Sequence, residues 1–470
     1  MDSKFKSLIN NTVIFGIGNI VTKLSQYIII AICTYRLTTA EFGIAEVLIQ
    51  TVAMLVPVFS ADIAEGLFRF TMDKDYTKEQ VFSNAMLINL AATIITLLAL
   101  PVELLCIKDF EFSVLLTLLT LAEIYQISIK EFIRGIGLTK LYMFSGFVNA
   151  VVQIISCLCF VYAFNLGIVG YILTLVTSNL IEVLFCIYKV NLLQFLEKTS
   201  IAKYVLKDML SYSIPLAPNK IMWWVISALN RYFVLWLVGA SATGLYSVAA
   251  KFPALITVVV GFFFQAWQIS ALETCENKDK DVFFSKIFNL LWASIGLLTA
   301  ASLAGIRFLV KILVSDAFFT SWEYAPFLLV AAAFSAIQSF LGVNYTIQKD
   351  SIGVLRSTTI AAVSNVFLNY VLIKSLGIQG ATIATFISYV IVAIYRYLDT
   401  KKYVTITVDN LNSFIITFGI LIAESVLLAF RPDLYMVTVP GFLVVLFVNK
   451  AVYKKGLLYA INRYCYRLKM

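Results

Sequence analysis

Long apolar segments recur along the whole chain, and this recurrence constrains the fold more than any other feature of the sequence. A helix needs about 20 apolar residues to cross the hydrocarbon core of a bilayer. Polar breaks such as 71–78 and 277–281 separate fourteen apolar stretches: 12–37, 43–69, 80–103, 112–133, 141–163, 168–188, 213–237, 244–270, 284–306, 323–346, 356–374, 378–397, 412–430 and 434–451. The sequence therefore predicts an all-α, polytopic membrane protein with about 14 transmembrane helices.

Composition excludes soluble proteins and most catalytic classes. Of the 470 residues, 61% are hydrophobic and 13% are charged, whereas ordinary globular chains are about 45–50% apolar and about 25% charged. The absence of histidine excludes zinc hydrolases and enzymes with a histidine acid or base. The seven cysteines form no CxxC pair, so we expect buried thiols and no metal site. There is no Walker A loop. We predict a protein that is not an enzyme and has no cofactor, with transport coupled to H+ or Na+, driven by substrate flux, or running downhill.

Lysine and arginine are distributed unevenly between the two sides of the predicted membrane. With the N-terminus placed inside, 26 of the 36 basic residues fall in inner segments and six in outer loops. The positive-inside rule then predicts that both termini are cytoplasmic. This bias, rather than nucleic-acid binding, explains the net charge of +9. The basic tail at 453–470 is typical of an interfacial helix that contacts membrane lipids.

Two short turn motifs repeat about 200 residues apart. Leu37–Gly43 corresponds to Val238–Gly244 at an offset of 201 residues, and Leu166–Gly170 corresponds to Leu376–Gly380 at an offset of 210. Such a repeat holds six spans, an even number, so both copies run the same way through the membrane, with the substrate path between two lobes. We therefore predict a six-helix lobe at 1–190, a cytoplasmic linker at 191–212, a second six-helix lobe at 213–400, and two extra helices with a basic tail at 401–470.

Four segments resemble one family of exporters. They are Asn11–Asn19 with Tyr35–Gly43, Phe132–Gly135 with Lys140–Tyr142, Tyr212–Asn219 with the downstream run Gly244–Pro253, and Leu376–Gly380. Together they resemble the polysaccharide-transporter branch of the multidrug/oligosaccharidyl-lipid/polysaccharide (MOP) exporter superfamily, and most of all its Wzx-type flippases. The resemblance implies a V-shaped protein with two six-helix lobes around a central cavity. It also implies movement of an undecaprenyl-pyrophosphate-linked oligosaccharide, for O-antigen, capsule or exopolysaccharide, from the inner to the outer leaflet by alternating access.

Charges within predicted spans are the candidate functional residues, because each costs about 2.5–3.5 kcal/mol at mid-span on insertion scales. In span 7, the spacing of Lys220, Trp224, Ser227 and Arg231 places two cations, an indole and a hydroxyl on one helix face. Cations suit a pyrophosphate, and aromatic and hydrogen-bonding groups suit a sugar. The full set of predicted cavity residues adds flanking positions and other spans: Asn19, Lys23, Gln26, Trp223, Asn230 and Lys251. The alternative is a polar seam that only holds helices together.

Acidic residues in the spans are candidates for a gate or for ion coupling. Asp62 and Glu65 stand three residues apart in span 2, and both are placed to pair with Arg69 as a helix-end network. The alternative for these three is an inner gate or a coupling site. Glu46 is a proton site or a partner for Lys23 or Lys251. Glu123 lies deep without an evident partner, while Glu182 and Glu424 lie close enough to span ends to be interfacial.

Two other functions remain open at this point. A multidrug or cation antiporter of the same superfamily would need a cavity dominated by acids, whereas the predicted cavity faces carry cations. A membrane glycosyltransferase or polymerase would need large outer loops, and the longest outer stretch is 307–322. The flippase interpretation implies a bacterial cytoplasmic membrane, with a polysaccharide polymerase and chain-length machinery as partners and no nucleic acid.

Overall fold

The computed structural model describes residues 24–197, 200–274, 279–348 and 350–453. Across these ranges the chain is helical and has no β-strand, which confirms the predicted all-α class. It divides into two units, one holding residues up to 228 together with 313–315, the other holding 229–312 and the residues from 316 onward. Helix α9 begins in the first unit and ends in the second.

The first unit is built from nine helices within the described ranges. Helix α1 is described over 24–36. It is followed by α2 (Thr39–Phe59), α3 (Ile63–Thr71), α4 (Lys78–Ile107), α5 (Phe110–Gly135), α6 (Thr139–Cys157), α7 (Gly167–Val190), α8 (Lys203–Ser213) and the first part of α9 (Ala217–Leu237). A π-helical turn, Leu158–Ala163, extends α6.

The second unit continues α9 and adds the remaining helices. They are α10 (Ala240–Ala249), α11 (Ala254–Thr274), α12 (Lys280–Leu313), α13 (Ala325–Ile347), α14 (Ser351–Leu376), α15 (Ile378–Asp399), α16 (Leu411–Phe430) and α17 (Thr438–Val448). A 3-10 segment, Asp316–Tyr324, leads into α13.

Polar side chains define several helix starts. Thr38 and Glu41 form a capping box at α2, and Thr77 and Gln80 form another at α4. In each, the threonine hydroxyl accepts from a backbone N–H that has no partner within the helix, and the third helical side chain bonds back to the cap. These boxes fix where α2 and α4 begin.

The structure confirms a multi-pass membrane protein but not the count of fourteen spans. In the described part of the chain, ten helices are long and apolar enough to cross a membrane. They are α2, α4, α5, α6 with its π-helical extension, α7, α12, α13 with its 3-10 lead, α14, α15 and α16. The bent pair α10 and α11 is an eleventh candidate, and Pro432–Val448, which contains α17, is apolar but short. Predicted span 12–37 is described only from residue 24, and α9, in predicted span 213–237, is not among the ten.

Two predicted spans are broken. Span 43–69 becomes α2 and α3, with a corner at 60–62. Pro57 lies in the last turn of α2, where it removes one helical N–H, and Ala61 and Asp62 then adopt positive φ. Span 244–270 becomes α10 and α11, which are bent by 42° at a break that ends at Pro253.

The predicted repeat of glycine turns places a glycine with positive φ at the equivalent position of both copies. Gly167 and Gly377 have φ of 58° and 57°. Three residues later, Gly170 packs against the carbonyl of Phe160, and Gly380 packs against the carbonyl of Leu372. In each copy the first glycine allows the tight turn and the second allows close helix approach. The repeated sequence motif is therefore a repeated helix-turn-helix contact.

The described residues of the segment predicted as a cytoplasmic linker, 191–197 and 200–212, pack into the first unit. Leu192 begins a short 3-10 turn, and Val205 and Met209 project from α8. All three are buried in a cluster with Leu67 of α3 and Phe132 of α5. The predicted domain boundaries themselves remain a prediction.

Candidate functional site

Lys220 lies between two carboxylates in the first unit. Its Nζ is 2.8 Å from Oδ1 of Asp62 and 3.0 Å from Oε1 of Glu65, and it donates a hydrogen bond to each. The Asp62 side chain is only 5% exposed, whereas Glu65 and Lys220 are 42% and 43% exposed. One ammonium on α9 is therefore held by a buried and an accessible acid from the α2–α3 corner.

The backbone presents Asp62 at this corner. Ala61 and Asp62 are consecutive non-glycine residues with φ of 50° and 53°, a conformation that costs roughly 1–2 kcal/mol per residue. The Asp62 N–H donates to the Pro57 carbonyl at 2.9 Å and closes the turn. Strain of this kind persists only where the surrounding structure fixes it. Here it points the Asp62 carboxylate at the start of α9.

Close packing before α9 sets the position of Lys220. Gly66, on the next turn of α3, lies so close to Ser213 at the end of α8 that a side chain there would overlap the serine hydroxyl. A short 3-10 turn, Ile214–Leu216, then links α8 directly to α9. Contact between α3 and α8 therefore fixes the first turn of α9 beside the corner.

The predicted pairing of Asp62 and Glu65 with Arg69 is wrong. Among the residues that the structure describes, both carboxylates form their ion pairs with Lys220, and the Arg69 side chain is exposed. Arg69 lies only one turn beyond Glu65 on the same helix, so helical spacing favoured it. The partner that forms instead is more than 150 residues away.

One turn along α9, Trp224 makes a second attachment to α2. Its indole Nε1 donates to the backbone carbonyl of Gln50 at 2.7 Å. Trp223 is half-buried, and Ser227 is exposed with its hydroxyl bonded to the Trp223 carbonyl of its own helix. Trp224 therefore has a defined bond, while Ser227 satisfies its hydroxyl locally.

In the second unit, Asn230 is the centre of a buried hydrogen-bond network. Its amide donates to Oη of Tyr246 at 2.9 Å and to Oγ1 of Thr385 at 2.8 Å, and its carbonyl accepts from Asn369. Asn369 also bonds Asn365, one turn earlier on α14. All five side chains are buried or nearly so. Asn230 thus joins α9 to α10, α14 and α15.

Arg231 is 7% exposed, and its guanidinium carbon lies 5.9 Å from the centre of the Tyr246 ring. This is the range of a cation–π contact. Lys251 lies in the break between α10 and α11 and is half-buried. Both cations therefore stand beside structural features of the second unit, a buried network and a helix break.

The remaining predicted cavity residues are in the first helix. Gln26 is exposed on α1. Asn19 and Lys23 lie outside the described residues. The predicted matching face on span 1 is therefore represented in the structure by Gln26 alone.

The other acids lie apart from the Lys220 site. Glu46 is fully buried in α2 and accepts from the Tyr171 hydroxyl at 3.2 Å. Glu123 is half-buried in α5. Glu182, expected to be interfacial, is 1% exposed, and it pairs with Lys130 at 3.1 Å and with Gln126 at 2.7 Å. Both partners are on α5, and the interfacial depth of Glu182 stays a prediction.

Glu424, also expected to be interfacial, is buried within α16 against Gly441 of α17. Among the described residues, neither of its carboxylate oxygens has a hydrogen-bond partner. The glycine leaves room for the carboxylate where any side chain would overlap it. Glu424 therefore lies inside the helix pair, and its interfacial depth stays a prediction.

Sequence reasoning missed the partners of Asn230. Asn365 and Asn369 stand one helical turn apart inside an apolar span, and Thr385 lies in the next span. Polar residues that share one face of an apolar helix usually bond across to a neighbouring helix. That spacing is the signal that would have predicted this network.

Metal-ligating side chains do not cluster in the part of the chain that the structure describes. Within the described part of the chain, no group of three or more His, Cys, Asp or Glu side chains is placed to hold a metal. Two groups are accessible at the α2–α3 corner: the carboxylate of Glu65 and the ammonium of Lys220, which donates to carboxylate or phosphate oxygens.

Comparison with known proteins gives the family and the fold. The profile of the polysaccharide biosynthesis protein family matches residues 8–268, more than half of the chain. The chain belongs to this family. An uncharacterized membrane protein of Methanocaldococcus jannaschii is 23% identical over 430 residues, which is 85% of this chain and all of that protein.

Solved structures show that this member of the polysaccharide biosynthesis family has the MOP fold. An inward-facing multidrug resistance transporter of the MATE family, from the MOP superfamily, matches with a TM-score of 0.69 at 13% identity, over 81% of this chain and 94% of that one. The lipid II flippase MurJ, in an inward closed conformation, matches with a TM-score of 0.65 at 16% identity, over 96% and 100%. The predicted MATE- and flippase-like fold is confirmed.

Proposed function

We propose that this chain is a flippase that carries undecaprenyl-pyrophosphate-linked oligosaccharide repeat units from the inner to the outer leaflet by alternating access. Membership of the polysaccharide biosynthesis family supports a saccharide cargo. The fold, shared with the lipid II flippase MurJ, supports a lipid-linked one. The repeat units are those of O-antigen, capsule or exopolysaccharide, and the membrane is the bacterial cytoplasmic membrane, with both termini cytoplasmic.

The observation that carries the proposal is membership of the polysaccharide biosynthesis family, whose profile matches residues 8–268. Lys220 offers a partly exposed ammonium, and Asp62 and Glu65 accept two of its three N–H groups, so an anionic oxygen of the cargo can accept the third. Arg231 and Lys251 are further cations, and both belong to the second unit. Family membership, rather than the charge at the α2–α3 corner, distinguishes this proposal from a multidrug antiporter.

We further propose that the cycle is coupled to H+ or Na+, with Glu46 and Glu123 as candidate coupling residues. Glu46 is fully buried against the Tyr171 hydroxyl, where gain or loss of a proton would change its bonding. The polymerase and the chain-length machinery are the proposed protein partners, because they consume the exported repeat unit.

The test follows the lipid-linked saccharide across the membrane in cells that lack this chain but keep the rest of the pathway. A sugar-specific probe that reaches only the outer leaflet reports export. We expect the saccharide to accumulate inside, wild-type chain to restore export, and Lys220→Ala and Arg231→Ala to restore little. Lys207→Ala, an exposed lysine of α8, is the matched control and should restore export fully.

Normal appearance of the saccharide outside in cells without the chain would refute the flippase proposal. Efflux of cationic dyes from cells with the chain, absent from cells without it, would instead support the antiporter alternative. Membrane levels of each variant, measured by immunoblot, separate loss of transport from loss of protein.

A further inference from the structure

A cavity of about 440 Å³ lies in the second unit, where the ends of three helices meet. Helix α12 begins at Lys280, α16 begins at Leu411, and α17 ends at Val448. Both α12 and α16 are long and apolar enough to cross a membrane. Because a spanning helix begins and ends where hydrocarbon gives way to water, the cavity lies near the depth of the lipid headgroups.

Side chains of α12 fix the polar edge of the cavity. The Asn289 amide donates to the Thr407 carbonyl at 2.9 Å, and its Oδ1 accepts from the Asp409 N–H at 3.1 Å. The Ser285 hydroxyl accepts from the Thr407 N–H at 3.0 Å. These hydrogen bonds hold the segment that precedes α16 against α12, and they place Asp409 at the cavity.

Two opposite charges line this cavity without pairing. Lys286 of α12 and Asp409 both contribute to the lining, and both are exposed. Among the residues that the structure describes, neither side chain forms an ion pair. Since the two charges do not lie within ion-pair distance of each other, a ligand with one negative and one positive group would satisfy both.

The rest of the wall is mainly apolar. It comes from α12 and from the end of α17, and it consists of Phe283, Ile287, Leu290, Val448, Ala451 and Val452. An apolar wall favours contact with acyl chains over contact with water. The ligand that fits is therefore amphipathic as well as zwitterionic, which is the chemistry of a bilayer phospholipid.

We propose that this cavity binds phosphatidylethanolamine, with a phosphate oxygen on the ammonium of Lys286 and the ethanolamine ammonium on the carboxylate of Asp409. The primary ammonium of this lipid donates N–H groups to a carboxylate as a lysine does. Phosphatidylglycerol has no cation for Asp409. The bound lipid links α12 to the start of α16. It is a component of the membrane rather than the cargo, so the site does not depend on the flippase function.

The test labels the site with a photoreactive phosphatidylethanolamine that carries a diazirine in one acyl chain. The purified full chain is labelled in dodecyl maltoside micelles, and mass spectrometry of its peptides locates the label, which we expect within 283–290 and 448–453. Unlabelled phosphatidylethanolamine should compete about fivefold better than phosphatidylglycerol, the upper end of what one exposed ion pair contributes.

Two variants assign the charges. Asp409→Asn should make the two competitors about equal, whereas Lys286→Gln should weaken both by about fivefold. Lys140→Gln and Asp75→Asn, exposed residues outside the cavity, are the matched controls and should keep the wild-type ratio. N-acetyl-phosphatidylethanolamine lacks the ammonium, so it should compete with wild-type chain only as well as phosphatidylglycerol, and this comparison needs no substitution.

Three results would overturn the proposal. Equal competition by phosphatidylethanolamine and its N-acetyl derivative would show that the ammonium is not recognised. An unchanged ratio in folded Asp409→Asn would show that Asp409 is not its partner. Label at these peptides that neither lipid displaces would show an adventitious contact of the acyl chain instead of a headgroup site.

Discussion

Replacement of Gly380 by alanine tests the helix approach on which the second unit depends. Helices α14 and α15 are joined by Gly377 alone, and Gly380 lies on the first turn of α15. A Cβ at this position would overlap the Leu372 carbonyl and lie 2.6 Å from the backbone N of Ile373. Backbone atoms cannot rotate away as a side chain can, so α15 itself must move outward.

The magnitude follows from the overlap. Overpacking typically lowers the free energy of unfolding by about 1–3 kcal/mol. Because the clash is with backbone, we expect Gly380→Ala to lie at the upper end of that range, about 3 kcal/mol. Alanine recovers up to about 1 kcal/mol of helix propensity, which leaves a net loss of about 2 kcal/mol. Gly170→Ala, the matching position of the first unit, meets the Phe160 carbonyl oxygen at 2.8 Å. A few tenths of an ångström of relief suffices there, so the net loss is about 0–1 kcal/mol.

The assay is thermal unfolding of the purified chain in one detergent, with Gly419→Ala as the control. Gly419 lies on α16, and a Cβ added there would have no atom within 4 Å. Alanine should therefore raise the free energy of unfolding of the protein by up to about 1 kcal/mol. From highest to lowest Tm, the expected order is Gly419→Ala, wild type, Gly170→Ala and Gly380→Ala. For a chain of 470 residues, Tm shifts by about 1 °C per kcal/mol, so the whole series spans roughly 3 °C. A Tm for Gly380→Ala equal to or above that of Gly419→Ala would refute the close approach of α15 to α14.

Three further predictions concern the polar contacts. Asn230→Ala should lower stability by about 2–3 kcal/mol, because Tyr246, Thr385 and Asn369 all lose a partner; Ser375→Ala, an exposed serine bonded to its own helix, is the control in the same Tm measurement. Trp224→Phe should cost about 0.5–1.5 kcal/mol through the lost bond to the Gln50 carbonyl, whereas Trp236→Phe, which is exposed, should leave Tm unchanged. The Gly353 N–H, and then the Tyr403 hydroxyl, hold the pKa of Asp350 below its ordinary value of 3.8. That contribution to stability is present above pH 3.8 and is lost as pH falls through the lower folded pKa; the protection factors for amide hydrogen exchange at 351–356, corrected for the intrinsic rate at each pH, should therefore fall in acid, and Asp350→Asn should remove the dependence.

The sequence predicted the fold well where apolar length and turn chemistry act locally. Segment length alone located the long helices, and the paired glycine motifs located equivalent turns in both copies, since Gly167 and Gly377 both require positive φ. The breaks were harder to foresee. The α2–α3 corner depends on Ala61 and Asp62 in a left-handed conformation that neither residue type favours. No local sequence pattern therefore predicted the corner.

The site was predicted in its residues but not in its pairings. Lys220, Asp62 and Glu65 were all candidates, yet helical spacing assigned the two acids to Arg69. The contact that forms depends on how α3 packs against α8 through Gly66 and Ser213. Packing between elements distant in sequence is not encoded in spacing along one helix, so the partner of a charge is the least predictable property of such a site.

Helix α9 carries candidate functional residues although it is less apolar than the helices that qualify as membrane spans. It is long enough to span a membrane but is not among the helices apolar enough to qualify. Several of the residues that lower its hydropathy have defined partners: Lys220 on Asp62 and Glu65, Trp224 on Gln50, and Asn230 in its amide network. A polar group within a membrane is stable only when such a partner replaces water. The stability of α9 therefore depends on the packed neighbours of its polar face, and the same face supplies the cation that the proposed cargo requires.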